Sequence, residues 1–259
     1  FWGRGGGAAR HKKGFLGRGG RVSPLFSGGG APGGPAGRPA ELLEPALRTA
    51  LAGGLRSAVL LPLFFGPSAA VVEYVPERVR ALASAFPEAN LRQARWVVDT
   101  ADSNDMRIAG ILAERVLEKS GMGGMGKKCP QVVLVDHGSP QPAVTAVRGH
   151  LGWQLAALLG DRVRGVHVAS MERRPGPEYA FNEPLLADRL RQSPCDTGEV
   201  IVALQFFTSG RHAGPGGDIA AICEEAQQVC PALRTCMTDP LGQSDLLIDV
   251  LADRFNEAR

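Results

Sequence analysis

Cysteine is scarce: five residues, at positions 129, 195, 223, 230 and 236, and no two stand in a Cys-x-x-Cys pair. An odd, sparse set of this kind excludes the disulfide framework of small secreted domains and a simple zinc ribbon. A reducing compartment, with most of these thiols packed, fits better. Long apolar runs are missing too. The longest, such as Ala58–Phe65, falls far short of the ~20 residues that cross a bilayer, so no membrane span is expected. Acidic residues are absent from positions 1–40, which hold seven Lys or Arg and fourteen Gly. Removing those seven from the 29 basic residues leaves 22 against 26 acidic ones, a net −4. The overall +3 therefore misleads, and the folded part is no generic polyanion or nucleic-acid binder.

Residues 1–40 have the Gly/Pro/Arg composition of a segment that cannot bury a core, so disorder is expected there. Arg-rich, acid-free, Ser-containing N-termini resemble organelle transit peptides. Spurious sequence ahead of a true start explains the same composition, and the opening Phe in place of Met reads as a fragment or a processed or conceptual product. The expected location is cytoplasmic or plastid stromal.

From Glu41 onward the pattern alternates. Helices are expected at 41–51, 76–86 and 106–119, with strands at 58–65 and 95–99. After a Gly-rich linker at 121–130 the alternation resumes, with strands at 132–135, 165–170, 199–207 and 233–238. Helices are expected at 144–159, 217–230 and 243–255, and a further one after Phe181–Leu186. Strands separated by helices of this length imply βαβ units and a parallel sheet. The linker holds Gly121-x4-Gly126-Lys127, the skeleton of a phosphate loop. It follows a helix, precedes a strand and has Lys128 in the hydroxyl position, so no nucleotide site is expected.

Self-similarity refines this outline. Val59–Phe65 (VLLPLFF) aligns with Ile201–Phe207 (IVALQFF) at an offset of 142, and Ile111–Arg115 with Val250–Arg254 at 139. The expected architecture is α/β, two similar halves, each a mostly parallel sheet flanked by helices, with a cleft between them. The division is 1–40 as a Gly/Arg-rich segment, 41–120 as an incomplete first half, 121–130 as linker and 131–259 as the second half. The second half also carries the chemistry, because its paired phenylalanines lead to Ser209-Gly-Arg-His212 and the first half has no histidine there.

Three expected strand ends in the second half hold candidate ligands: His137, Glu172 and His212. Strand ends at one edge of a parallel sheet meet, which makes a two-histidine, one-carboxylate metal site. His167 lies within a strand, His150 within a helix and His11 in the N-terminal segment, so none of them joins the set. Arg173, Arg174 and Arg211 flank two of the ligands, and guanidinium groups pair with carboxylates, which suits a polyanionic substrate. Ser139 lacks the Gly-x-Ser-x-Gly elbow of a hydrolase nucleophile and joins the arginines as a candidate substrate contact.

These motifs resemble the class II tetrapyrrole chelatases of the sirohydrochlorin cobaltochelatase/ferrochelatase (CbiX-like) type. The resemblance rests on Val135-Asp-His-Gly-Ser139, Met171-Glu172, and Phe206-Phe-Thr-Ser-Gly-Arg-His212 followed by Asp218-Ile219. Pro62-Leu-Phe-Phe-Gly-Pro-Ser68, Tyr74-Val-Pro-Glu77 and Pro240-Leu-Gly242 add to it. It implies ATP-independent insertion of Co²⁺ or Fe²⁺, the metal being a substrate, into sirohydrochlorin held in the cleft. His137 and His212 would bind the metal and accept pyrrole protons, and Glu172 would complete the metal site. Imidazole suits both tasks, being a ligand for late first-row ions and titrating at about pH 6.5. Some plastid members carry an iron–sulfur segment. Here Cys223, Cys230 and Cys236 are spread over a helix and a strand, so no cluster is expected, and neither is a nucleotide. The alternative is a non-catalytic metal or tetrapyrrole carrier with a degenerate first half.

Overall fold

In the computed structural model, the residues described are 42–122 and 129–259. The disorder expected at 1–40 and the Gly126-Lys127 end of the rejected phosphate loop lie outside them. The chain divides into two units, and both carry the α/β character expected, with parallel strands flanked by helices.

The smaller unit comprises, among the described residues, 42–62, 69–95 and 252–259. Helix α1 (Leu43–Ala52) buries Leu43, Leu47 and Leu51, one per turn at four-residue spacing. It packs with Val75 and Leu82 of helix α2 (Val75–Ala85), against the parallel strands β1 (Ser57–Leu60) and β2 (Asn90–Gln93). A π-helical turn, Ala70–Tyr74, runs directly into α2.

The larger unit comprises residues 63–68 and 96–251. Its sheet contains β3 (Gln131–Asp136), β4 (Gly165–Ser170), β5 (Gly198–Leu204) and β6 (Leu233–Met237), all parallel, in the spatial order β4-β3-β5-β6. All six residues of β3 are buried, as a strand covered on both faces requires. Alternate residues serve opposite layers. Val132, Leu134, Ile201 and Ala203 pack with α3 (Arg107–Met122), α4 (Pro142–Leu159) and α7 (Asp245–Ala258). Val133, Val135, Val200, Val202 and Leu204 pack with α5 (Leu186–Arg189) and α6 (Asp218–Val229). Each of these Val, Leu and Ile side chains stabilises the fold by roughly 1.5–3 kcal/mol relative to exposure.

Two expected strands in the first half are corrected. The run 58–65 is not one strand: β1 ends at Leu60, and Pro62, which has no N–H to give a ladder, leads the chain into the larger unit. The strand expected at 95–99 is β2, at Asn90–Gln93. Val97 and Val98 are apolar because they sit in the larger unit's core, and their N–H groups bond singly to Phe64 and Phe65 carbonyls. An offset of 142 from the start of β6 at Leu233 falls at Leu91, within β2, and the same offset from the start of α6 at Asp218 falls at Pro76, within α2. Helix α3 runs on to Met122, into the expected linker.

Gly152 lets α4 approach the sheet closely, since a Cβ there would lie 2.4 Å from Val168 Cγ1. Gly152→Ala is expected to lose about 1–3 kcal/mol by overpacking, outweighing the gain of up to ~1 kcal/mol in helix propensity. Urea unfolding measures the sign. Burial pushes the thiols of Cys195 and Cys223 up to about 11, whereas Cys129 is exposed. Thiol-reactive labelling of the native chain at pH 8 should therefore modify Cys129 and spare Cys195 and Cys223 until the protein unfolds.

Candidate functional site

Strand β3 is followed in sequence by β4 on one side of it and then by β5 on the other. The connection leaving β3 runs to β4 on one side and that leaving β5 runs to β6 on the other, so the carboxyl ends of β3 and β5 form the topological switch point, the usual ligand site of such sheets. His137 directly follows β3, and His212 lies in the loop after β5. Their rings meet edge to face, with centroids 4.8 Å apart at 84°.

Close backbone approach sets the first half of this pair. Gly138 has φ +91°, and a Cβ there would fall 1.9 Å from the carbonyl oxygen of Glu172, so only glycine fits. The N–H of Met171 donates to the Asp136 carbonyl (2.8 Å), and that of Glu172 to the His137 carbonyl (3.2 Å). The loops after β3 and β4 are thus laced together. Glu172 Oε1 stands 3.7 Å from His137 Nε2, with the histidine side chain 47% and the glutamate 62% exposed.

The second half of the pair is set by a glycine-rich turn. A Cβ on Gly214 or Gly217 would come within 3 Å of the backbone oxygens of Gly210, Arg211 or His212. The turn folds back so that the N–H of Asp218 donates to the Arg211 carbonyl and that of Ile219 to the His212 carbonyl. This sets the His212 ring against the first residue of α6, with Nδ1 2.5 Å from Asp218 Oδ2. Each histidine therefore has its own carboxylate beside it.

Beneath His137 lies a buried polar network. Ser170 Oγ donates to Asp136 Oδ1 (2.6 Å) and accepts from Arg148 Nη1. The same Arg148 Nη1 donates to the Asn182 carbonyl (2.8 Å) and lies 3.6 Å from Asp136. Asn182 uses its whole amide. Its Oδ1 accepts from the Ser139 N–H and the Thr145 hydroxyl, both at 2.9 Å, and its Nδ2 donates to the carbonyls of Ser139 and Tyr179. Burial pushes the Asp136 carboxyl up and the Arg148 guanidinium down, despite their attraction.

The remaining sequence candidates are placed as follows. Ser139 Oγ accepts the Gln141 N–H at the entry to α4. Arg173 is paired with Glu183 at 2.9 Å and donates to two backbone carbonyls. Arg174 lies 6.0 Å from the centroid of the Tyr179 ring. Arg211 has a side chain 84% exposed, with Nε 3.8 Å from Asp218. His167 bonds Gln131 within the sheet. Among the described residues, no group of three or more His, Cys, Asp or Glu side chains stands ready as a ligand set. The two imidazoles are together, and Glu172 is beside one of them. Sequence reasoning missed the roles of Arg148, Asn182 and Asp218. Only the last left a signal, an acidic residue six positions after His212 at a helix start.

The fold and this switch point define a doubly wound α/β domain with a paired-imidazole edge. Residues 131–258 match the model of the CbiX family. Solved structures similar to the chain include SirB from Bacillus subtilis with Fe³⁺, at TM-score 0.60 and 16% identity, over 83% of this chain and 77% of that one. The sirohydrochlorin chelatase SirB from Bacillus subtilis subspecies spizizenii in complex with cobalt gives TM-score 0.58 and 14% identity, over 83% and 75%. CbiX, described as the terminal enzyme for biosynthesis of siroheme in denitrifying bacteria, gives 0.51 and 16%, over 81% and 79%. No curated protein matches the sequence.

Removing one member of a buried ion pair strands the other. Arg148→Met is expected to cost about 3–5 kcal/mol in denaturant unfolding. Adding Asp136→Asn should recover part of that loss, so the double-mutant cycle should show a coupling of about 0.5–3 kcal/mol. Strict additivity would show that the two side chains are independent.

Proposed function

We propose that the chain is an ATP-independent chelatase that inserts a divalent metal, Co²⁺ or Fe²⁺, into sirohydrochlorin. The observation that carries this reading is the meeting of His137 and His212, with ring centroids 4.8 Å apart, at the switch edge of a domain that matches the CbiX family model. Two neutral imidazoles offer lone pairs to a late first-row cation at ~2 Å ligand distances, and leave positions open for the incoming macrocycle. Glu172, with its side chain 62% exposed, is free to rotate in as a third, oxygen ligand. Such a half-built ligand set suits a metal that must be handed on, whereas a closed four-ligand cage would retain it.

Insertion exchanges one M²⁺ for two pyrrole N–H protons, so the site must receive protons as the metal leaves. Imidazole can do so once its lone pair is released. The macrocycle's carboxylates call for cations, and Arg211 and Arg174 are the exposed candidates. Arg173, already paired with Glu183, contributes by shaping the loop, and Ser139 by the turn beneath His137. We read residues 131–259 as the metal-bearing chelatase unit. Residues 41–120 are a partial copy of it, supported by the correspondence of β1–α2–β2 with β5–α6–β6 in sequence offset.

Anaerobic insertion into sirohydrochlorin, followed by its absorbance change with Co²⁺ and Fe²⁺ in parallel, tests the reading. His137→Ala and His212→Ala should each lower the rate at least about 10²-fold, the lower bound for removing a positioned acid–base group. A chain that binds metal yet never exceeds the uncatalysed rate would be a carrier and would sink the chelatase reading.

A further inference from the structure

We infer that Asp218 is a positioning residue, which holds His212 as its Nδ1–H tautomer and so keeps the Nε2 lone pair available to the metal beside His137. The inference rests on the metal-site reading above, and concerns an atom-level requirement that the pair of histidines alone does not meet. A neutral imidazole has one nitrogen bearing hydrogen and one bearing a lone pair. Only the second can ligate, and which one it is depends on what the other touches.

The contact is one-directional. Asp218 Oδ2 lies 2.5 Å from His212 Nδ1, and a carboxylate can only accept, so in the neutral ring the hydrogen resides on Nδ1 and the lone pair on Nε2. The geometry is over-determined, because the backbone fixes both partners. The Ile219 N–H donates to the His212 carbonyl at 3.1 Å, and the Asp218 N–H to the Arg211 carbonyl at 3.3 Å. The turn that permits this tolerates no Cβ at Gly217, where one would lie 2.5 Å from the Arg211 oxygen. Arg211 Nε stands 3.8 Å from the same carboxylate oxygen. Carboxylates behind metal-binding histidines orient the ring and raise its basicity in this way. Glu172 does not duplicate this arrangement, since it stands by Nε2 of His137.

A purely structural role competes with this one. An acidic residue in the first turn of a helix favours the helix by about 0.3–1 kcal/mol through the macrodipole. Asp218 occupies that position in α6. The two roles part in what they move.

The test uses the full chain, ¹⁵N-labelled and metal-free, at a fixed pH of 8. Long-range ¹H–¹⁵N spectra read the His212 tautomer, with the signal assigned by comparison with His212→Gln. The wild type should show the Nδ1–H form, and Asp218→Asn, whose amide can also donate, should lose that preference. Titration with Co²⁺ alone should show a Kd raised about 10–100-fold in Asp218→Asn, and likewise in Asp218→Ser, which keeps a residue suited to a helix start. Thermal midpoints should stay within a few degrees of wild type.

An Nε2–H tautomer in the wild type overturns the inference without any variant. So does Co²⁺ affinity within twofold of wild type in either folded variant, or a variant that loses thermal stability and affinity while keeping the Nδ1–H form. A wild-type chain with the Nδ1–H form that binds no Co²⁺ would instead bring down the metal-site reading itself, so the two failures are told apart.

Discussion

The paired-histidine edge depends on one buried constraint, the contact of Arg148 with the ends of β3 and β4. A guanidinium and a carboxylate taken out of water repay their desolvation only if nearly every donor and acceptor is used. Burial moves both Asp136 and Arg148 toward their neutral forms, so the pair is no reservoir of stability. What it secures is arrangement. Arg148 reaches Ser170 at the end of β4 and the carbonyls of Asn182 and Glu183. Asn182 in turn holds the Ser139 turn that follows His137. An apolar cluster of equal volume would fill the space but would leave the His137 loop without a fixed course.

The second constraint is closeness. Gly138 presses on the backbone of Glu172, and Gly214 and Gly217 on the turn bearing Arg211 and His212. Glycine serves here because the missing Cβ lets main chain meet main chain, where ladder-like hydrogen bonds then fix two loops against each other. Each histidine inherits its place from a strand end and a glycine contact, and its orientation from neighbouring groups. The resulting edge is polar, with the His137 and Glu172 side chains exposed.

The repeat illustrates how far a local pattern can be trusted. Phe65 and Phe207, aligned in sequence by an offset of 142, stack face to face at 3.9 Å and 8°. Both belong to the larger unit, although the sequence alignment set them in different halves. The strand between Arg95 and Asp99 failed for a related reason. Val97 and Val98 read as a strand because they are apolar, but they are apolar because the core of the larger unit takes them in. Apolar character reports burial, and a strand is only one way to be buried.

What the sequence determined by itself was whatever depends on short-range periodicity and composition. The buried β3 run, the helices α4, α6 and α7, the α/β class and the histidines at loop positions after strands all follow from patterns spanning fewer than about twenty residues. Tertiary structure decided the rest. Strand order put β5 beside β3 and so brought residues 137 and 212 within one ring contact. The roles of Arg148, Asn182 and Asp218 emerged only there, because a buried polar side chain is defined by its partners. Most of those partners come from other elements, 22 residues away for Arg148 with Ser170 and 43 for Asn182 with Ser139. No local pattern encodes a hydrogen bond between loops whose meeting depends on the crossover of the sheet.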